Sequence, residues 1–221
     1  MPQILITQDN SPTLINEVLG VTYHSVFGAK GESEYVFIQQ SELENKLKTQ
    51  EQVQIVEVGL GTGLNAWLSY QYAQKYPDTK VVYTAFEINP LSSEILEVFY
   101  TALQDTDFAS VITNFPQNTT LNNFQTDFYL CSWLEADLNP NTADIIFYDA
   151  FAPKVCPELW TQEALTKAVS TLKTNGVLTT FSVTGQVKRF LQKMPVQILT
   201  PKGFAKKRQM LKVIKQGMPD C

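Results

Sequence analysis

Three acidic residues stand at or beside the ends of strand-like runs. Glu57 lies in Val53-Gln54-Ile55-Val56-Glu57-Val58, Glu87 follows Val81 to Phe86, and Asp149 follows Ile145-Ile146-Phe147-Tyr148. A carboxylate beyond the carboxyl end of a buried strand can accept hydrogen bonds from the hydroxyls, amides or amines of a ligand. Directly after the first acid, Gly59, Gly61 and Gly63 lie two apart. That spacing lets the chain turn tightly, at φ values closed to other residues, and bring backbone N–H groups against a ligand.

The elements that must hold these residues follow from the surrounding pattern. Val53 to Val58 is β-branched with little alternation, as in a strand buried on both faces of a parallel sheet, and Leu64 to Tyr70 resumes helical spacing. Strand, glycine loop and helix make the first half of a nucleotide-binding βαβ unit. The dinucleotide pattern G-x-G-x-x-G needs glycine where the chain has Leu64, and the phosphate-loop pattern needs a G-K-[ST] that is missing. What remains is E-x-G-x-G-x-G, a loop suited to S-adenosylmethionine, which has no phosphates to cradle. Glu87 is placed to accept hydrogen bonds from both ribose hydroxyls of its adenosine. A G-x-G-x-G alone also describes an ordinary tight turn; the strand before it, the helix after it and the acid ending the second strand favour the cofactor. The cofactor-binding candidates are Glu57, Gly59, Gly61, Thr62, Gly63, Asn65 and Glu87.

The 221 residues, 44% hydrophobic and 18% charged, suffice for one well-buried domain and are few for two. The start at Met1-Pro2-Gln3 has no basic signal region, and no apolar run approaches the ~20 residues of a membrane span. Cys131, Cys156 and Cys221 lack metal-ligand spacing, and His24 is the only histidine. The expectation is a reduced, cytoplasmic, metal-free protein with no membrane partner. Net charge is −5, but residues 1–163 hold 21 of the 22 acidic residues and 6 of the 17 basic ones, whereas residues 164–219 hold 11 basic residues and no acid. Such asymmetry suits an anionic partner for the basic end.

Along the chain, Gln3 to Thr7 and Tyr35 to Ile38 are expected as strands, with a loop from Tyr23 to Ser33 that folds over the pocket or joins a solvated hairpin. Ser41 to Lys48 is expected as a helix with a Ser41/Glu44 capping box. Helices are predicted from Leu64 to Lys75, after Pro90, from Glu158 to Leu172 and from Gln186 to Gln192. Further strands are predicted at Phe128–Cys131, Ile145–Tyr148, Val177–Ser182, Gln197–Thr200 and Gln209–Ile214, with a turn at Asn175-Gly176. The sum is an α/β, Rossmann-like, doubly wound mixed sheet of about seven strands, with residues 1–50 as a β-rich extension covering the pocket of a 51–221 core.

Asp149-Ala150-Phe151-Ala152-Pro153 puts a carboxylate at the edge of that pocket. A primary amine attacking a sulfonium methyl must lose a proton and be held in line by an acceptor, and Asp149 can serve while Phe151 packs on a planar base. The plainer alternative is that Asp149 caps the loop before the next helix. Together, Glu57 to Asn65 (E-V-G-L-G-T-G-L-N), Phe86-Glu87 with Pro90-Leu91, D-A-F-A-P, Leu159-Trp160, Thr180-Phe181 with Val187-Lys188-Arg189, and Gly203 to Leu211 (G-F-A-K-K-R-Q-M-L) resemble the methyltransferase domain of MnmC, the tRNA 5-methylaminomethyl-2-thiouridine biosynthesis protein. The resemblance covers nearly the whole chain. It implies a class I S-adenosylmethionine-dependent fold and methyl transfer to the aminomethyl group of a wobble uridine, 5-aminomethyl-2-thiouridine to 5-methylaminomethyl-2-thiouridine. Asp149 then falls on the catalytic-pocket aspartate, also beside the cofactor, and Glu87 on the ribose-binding acid. The sequence departs from the family at Cys131-Ser132-Trp133, where a Gly-Asp is usual; there Trp133 is the candidate to stack on adenine. Bifunctional members also carry a flavin-dependent oxidase domain, for which this length leaves no room; with no flavin, a separate oxidase or aminomethyl-forming enzyme must act upstream.

With tRNA as the partner, Tyr23, Phe151 and Pro153 are candidates for the base, and Arg189, Lys206, Lys207 and Arg208, with Lys188, Lys202, Lys212 and Lys215 near them in sequence, for the phosphates. The basic segment could equally be a solvated face balancing the acidic body. A small-molecule amine N-methyltransferase or an aminopropyltransferase on the same fold is the main alternative, and a non-catalytic RNA-binding module the second.

Overall fold

In the computed structural model, which describes residues 3–217, the strands fall into two sheets. The smaller is an antiparallel meander of β1 (Gln3–Ile6), β2 (Pro12–Asn16) and β3 (Val21–Thr22), with Ile4 opposite Leu14 and Ile15 opposite Thr22. Its loop carries Thr7, Asp9 and Ser11, which cap the start of α1 (Ala29–Ser33) from a distance. Thr7 Oγ1 accepts the Ala29 N–H, Ser11 Oγ that of Lys30 and Asp9 Oδ2 that of Gly31. Three of the amides a helix start leaves unpaired are thereby satisfied, with negative charge at the positive end of the helix.

Tyr35 to Ile38, expected as a strand, are helical: α1 runs into a wide π-helical turn, Glu34–Gln39. A short apolar run reads the same in a buried strand and a buried helix. Here the wide turn buries Val36, Phe37 and Ile38 in succession, Phe37 against Phe147 at 5.4 Å. The Ser41/Glu44 box is not made either. Ser41 donates to the Ile38 carbonyl, α2 (Leu43–Thr49) starts after a left-handed Glu42, and Glu44 is taken by Tyr76 and Lys48.

The main sheet contains β4 (Gln52–Val58), β5 (Lys80–Glu87), β6 (Thr119–Leu121), β7 (Phe124–Leu130), β8 (Ala143–Tyr148), β9 (Leu172–Thr180), β10 (Val196–Leu199) and β11 (Leu211–Lys215). Their order is β10-β11-β9-β8-β4-β5-β7-β6, parallel from β9 to β7 and antiparallel at both ends. It has eight strands, against the seven expected. The eighth is β6, folded back on β7 through Asn122-Asn123, where asparagine tolerates the φ of 55°. Strand β7 accordingly starts four residues before Phe128. Asn175-Gly176 is no chain reversal; it lies inside β9 where the register against β8 shifts, a bulge with Asn175 at φ 64°.

Alternate residues of the central strands serve two cores. Ile145 and Phe147 of β8 join Val53, Ile55 and Tyr83 beneath α3 (Leu64–Ala73), α4 (Ser93–Leu103) and α5 (Thr106–Thr113). Ile146 and Tyr148 join Val56, Val58 and Trp160 beneath α6 (Gln162–Thr171) and α7 (Gly185–Leu191). Helix α5 has no counterpart in the sequence reading, and α4 begins at Ser93 rather than at Pro90. The helix expected from Glu158 is a 3₁₀ turn, Pro157–Trp160, followed by α6. No helix among the described residues is long and apolar enough to cross a membrane.

One side chain ties the small sheet to the glycine loop. The His24 ring meets Thr13 Oγ1 at 3.1 Å through Nδ1 and Thr62 Oγ1 at 3.2 Å through Nε2. Burial holds its pKa down at about 4, so the ring is neutral at pH 7. Unfolded, it titrates near 6.5; between the two values the unfolded chain binds a proton that the folded chain does not. Its contribution to stability is therefore complete above pH 6.5 and lost as pH falls towards 4, by up to about 3 kcal/mol. Denaturant unfolding across that range should show wild type losing its lead over His24→Gln as pH falls; parallel pH curves for the two proteins would remove the assignment.

Candidate active site

The loop leaving β4 bends through Gly59 at φ 89°, Gly61 at 52° and Gly63 at 74°. A Cβ on Gly63 would lie 2.4 Å from Ile112 Cδ1, and one on Gly59 would lie 3.0 Å from the Asp149 carbonyl oxygen, so a side chain at either position would require its neighbours to move. Glu87, at the end of β5, locks this loop in place. Its Oε2 accepts the Gly61 N–H at 3.1 Å, and its Oε1 accepts those of Ile88 and Asn89, both at 2.9 Å. A carboxylate oxygen has two lone pairs, so Oε2 keeps acceptor capacity for a ligand hydroxyl. Gly59, Gly61, Glu87, Asp149 and Phe151 share the wall of a cavity of about 300 Å³. A small extension of about 50 Å³ reaches Phe86, Cys131, Ser132 and Trp133.

Behind the loop runs a buried polar chain. Tyr83 donates to Glu57 Oε2 at 2.8 Å, and the Asn65 Nδ2 donates both to Glu57 Oε1 and to Asp149 Oδ2, each at 2.7 Å. Glu57 is fully buried, and burial, then the charge of Asp149, push its carboxyl well above the ordinary range. Burial also pushes Asp149 up, with Asn65 and Lys207 opposing and Glu32 adding to the rise. The two carboxyls, bridged by one amide, are thus both pushed above the ordinary carboxylate range, chiefly by burial.

Asp149 also lines a second cavity, of about 420 Å³, with Tyr23, Glu32, Phe151, Phe181 and Lys207. Tyr23 stands between the two spaces. Its ring meets Phe151 edge-on at 5.3 Å and covers Gly61, where a Cβ would lie 3.1 Å from Tyr23 Cδ1. The structure thus brings Tyr23, Gly59, Gly61, Glu87, Asp149 and Phe151 together. Among the described residues, the walls of the two main cavities do not include Glu57, Thr62, Gly63 or Asn65, which stand behind the loop; Thr62 is spent on His24. Trp133 closes the end of the small extension, with its N–H given to the Ala164 carbonyl and its ring against Phe86. Pro153 opens the turn in which the Ala152 carbonyl accepts from Val155 and Cys156.

The basic residues divide. Lys212 pairs with Glu42, and Lys215 donates to the carbonyls of Ser170 and Leu172, so both are bound into the fold. Lys207, expected at a phosphate, pairs with Glu32 at the inner cavity and lies 4.7 Å above the Phe181 ring. Arg189, Lys206 and Arg208 are exposed, as is Lys207, and Lys206, over Phe27 at 4.8 Å, lines the same cavity. Sequence reading missed Glu32, Tyr83 and the role of His24, because their partners lie in other elements.

The family described as S-adenosyl-L-methionine-dependent methyltransferase matches residues 109–216, and the strand order and glycine loop are those of the class I fold. Over that segment the chain is similar to the S-adenosylmethionine-dependent methyltransferases. It is 29% identical over 237 residues to the tRNA 5-methylaminomethyl-2-thiouridine biosynthesis bifunctional protein MnmC of Actinobacillus pleuropneumoniae strain L20, covering 92% of this chain and 34% of that protein. To the protein of the same name from Pseudoalteromonas translucida it is 32% identical over 218 residues, covering 86% of this chain and 33% of the relative. The chain spans about a third of the length of these curated relatives. The crystal structure of MNMC2 from Aquifex aeolicus superposes with a TM-score of 0.79 at 23% identity, over 99% of this chain and 71% of that one, and has the same fold.

Among the residues present, the Gly59–Gly61 backbone and the remaining acceptor site on Glu87 Oε2 fit an adenosine with a ribose hydroxyl on that oxygen. Removing a charged hydrogen-bond acceptor typically costs ~1.5 to 3 kcal/mol per bond. Calorimetric titration should therefore show Glu87→Ala binding S-adenosylmethionine at least about tenfold more weakly; unchanged affinity would move the ribose elsewhere.

Proposed function

We propose that this methyltransferase acts on the primary amine of an aminomethyl group at the wobble uridine of tRNA, converting 5-aminomethyl-2-thiouridine to the 5-methylaminomethyl base. The observation that carries the reading is the position of Asp149, on the wall common to the glycine-loop cavity and the aromatic cavity. S-adenosylmethionine would supply an electrophilic methyl carbon on a sulfonium sulfur. Gly59, Gly61 and Glu87 would hold its adenosine half in the first cavity. The acceptor base would enter the second, beside Phe151 and Tyr23.

Asp149 then meets the nitrogen at the junction. As a carboxylate it attracts the incoming ammonium, takes a proton from it and, through the remaining N–H, turns the freed lone pair towards the cofactor side. Its raised pKa makes it a better base than an exposed carboxylate, and Asn65 fixes its orientation from behind. The 2.7 Å bond to Asn65 and the position at the cavity wall favour this role over a simple loop cap. The substrate must reach this site as a free amine, so the reaction before it is one that unmasks an aminomethyl group.

Two experiments test the reading. Asp149→Asn keeps size and one acceptor oxygen but cannot act as a base; single-turnover transfer of labelled methyl to tRNA bearing the aminomethyl uridine should slow ~10² to 10⁴-fold, with cofactor affinity little altered. A rate within about threefold of wild type would reduce Asp149 to a structural residue. Separately, charge reversal of the exposed Arg189, Lys206 and Arg208 should weaken tRNA binding and flatten its salt dependence. A small-molecule amine enzyme would have no steep salt dependence for tRNA to begin with.

A further inference from the structure

The aromatic cavity contains an ion pair that the proposed chemistry does not use. Glu32, in α1, is only 6% exposed; its Oε1 holds the ammonium of Lys207, whose side chain is 42% exposed at the cavity rim and lies 4.7 Å over Phe181. Both side chains line the cavity beside Asp149. The loop that delivers Lys207 is tight: its N–H bonds the Phe204 carbonyl at 2.9 Å, and a Cβ on Gly203 would lie 2.7 Å from Lys207 Cβ. An ion pair in a partly dry place is weak support for stability, since apolar residues of similar volume usually serve as well or better. A pair built into a cavity wall, with one donor and one acceptor facing the same space, suits recognition.

We propose that Glu32 and Lys207 read the imide edge of the acceptor base, Lys207 donating to O4 and Glu32 accepting from N3–H. The inference rests on the function proposed above. Around a uracil ring the substituents follow in order: the aminomethyl carbon on C5, the O4 acceptor on C4, then the N3–H donor. If the C5 nitrogen lies at Asp149, O4 and N3–H face the same wall further on, where a cation and a carboxylate stand side by side. Lysine occupies Glu32 Oε1, and a carboxylate has a second oxygen to offer. Cytosine presents the reverse pattern, an amino donor at C4 and a bare N3 acceptor, so it would set donor against ammonium and lone pair against carboxylate. A site built to bond particular polar groups rejects analogues that leave those groups unpaired far more strongly than an apolar slot does.

The test is single-turnover transfer of labelled methyl from S-adenosylmethionine to two tRNAs, one with 5-aminomethyluridine and one with 5-aminomethylcytidine at the wobble position. Wild type should prefer the uridine by at least about 100-fold. Lys207→Met and Glu32→Gln should each slow transfer to the uridine by ~10 to 100-fold and narrow the preference, with cofactor affinity unchanged, while Lys207→Arg keeps the preference. The change in preference is what a purely structural ion pair would not produce. Absence of a preference in wild type, or a preference in both variants within about threefold of it, would overturn the inference. If Lys207→Met does not bind cofactor, Glu32→Gln alone decides. Wild type that methylates neither tRNA would instead overturn the proposed function, and this inference with it.

Discussion

An amide nitrogen has two protons, and at Asn65 each goes to a different carboxyl group, Glu57 and Asp149. The bonds join the end of β4, the first turn of α3 and the end of β8 at one point. Only seven residues separate Glu57 from Asn65 in sequence, so the chain must leave the sheet, reverse and return over its own strand within that length. Glycines at φ 89°, 52° and 74° make the reversal possible, because any other residue there would be strained, and a Cβ at Gly63 would also push into Ile112. The loop geometry usually credited to cofactor binding is here equally a condition for holding the two acids together.

From this point outward the site is assembled by elements distant in sequence. Glu87 pins the tip of the loop through the Gly61 N–H, and His24 pins Thr62 from the small sheet. The small sheet is thus more than a cover. It contributes Tyr23, which separates the two cavities, and α1 behind it contributes Glu32. The basic end of the chain reaches back to meet this extension: Lys207 pairs with Glu32 and Lys212 with Glu42. Two of the basic residues near the end of the chain thus have acidic partners within the first fifty residues.

What the sequence made legible was whatever depends on neighbours in the chain. The β-branched run before Gly59, the glycine spacing and the acids at Glu87 and Asp149 are local signals, and they place the central parallel strands and the loop correctly. The failures have one cause. Tyr35 to Ile38 looked like a strand because apolar runs are ambiguous; the helix there is started by Asp9, more than twenty residues earlier. The Ser41/Glu44 box failed because Tyr76 and Lys48 compete for Glu44. Lys207 is the exposed cation the sequence suggests, but nothing nearby in sequence announces its partner Glu32. Asn65 was read as facing the cofactor, whereas its amide faces two acids, one of which lies 84 residues away.

The residue type at position 65 can be argued from what it leaves unsatisfied. Asn65 Oδ1 is buried and has no partner among the described residues, a penalty of about 1 to 3 kcal/mol by ordinary experience. Turning the amide over would give that oxygen other neighbours but aim it at Glu57 and Asp149, and an acceptor between two carboxyl groups is worse unless both are protonated. Serine or threonine has one proton and could serve only one of the acids. Lysine has enough protons, but its charge would pull the Asp149 pKa down and leave a weak base where the amine must be deprotonated. A neutral side chain with two donors pointing one way is the choice that holds both carboxyls without neutralising either, and the orphaned oxygen is the cost of that choice.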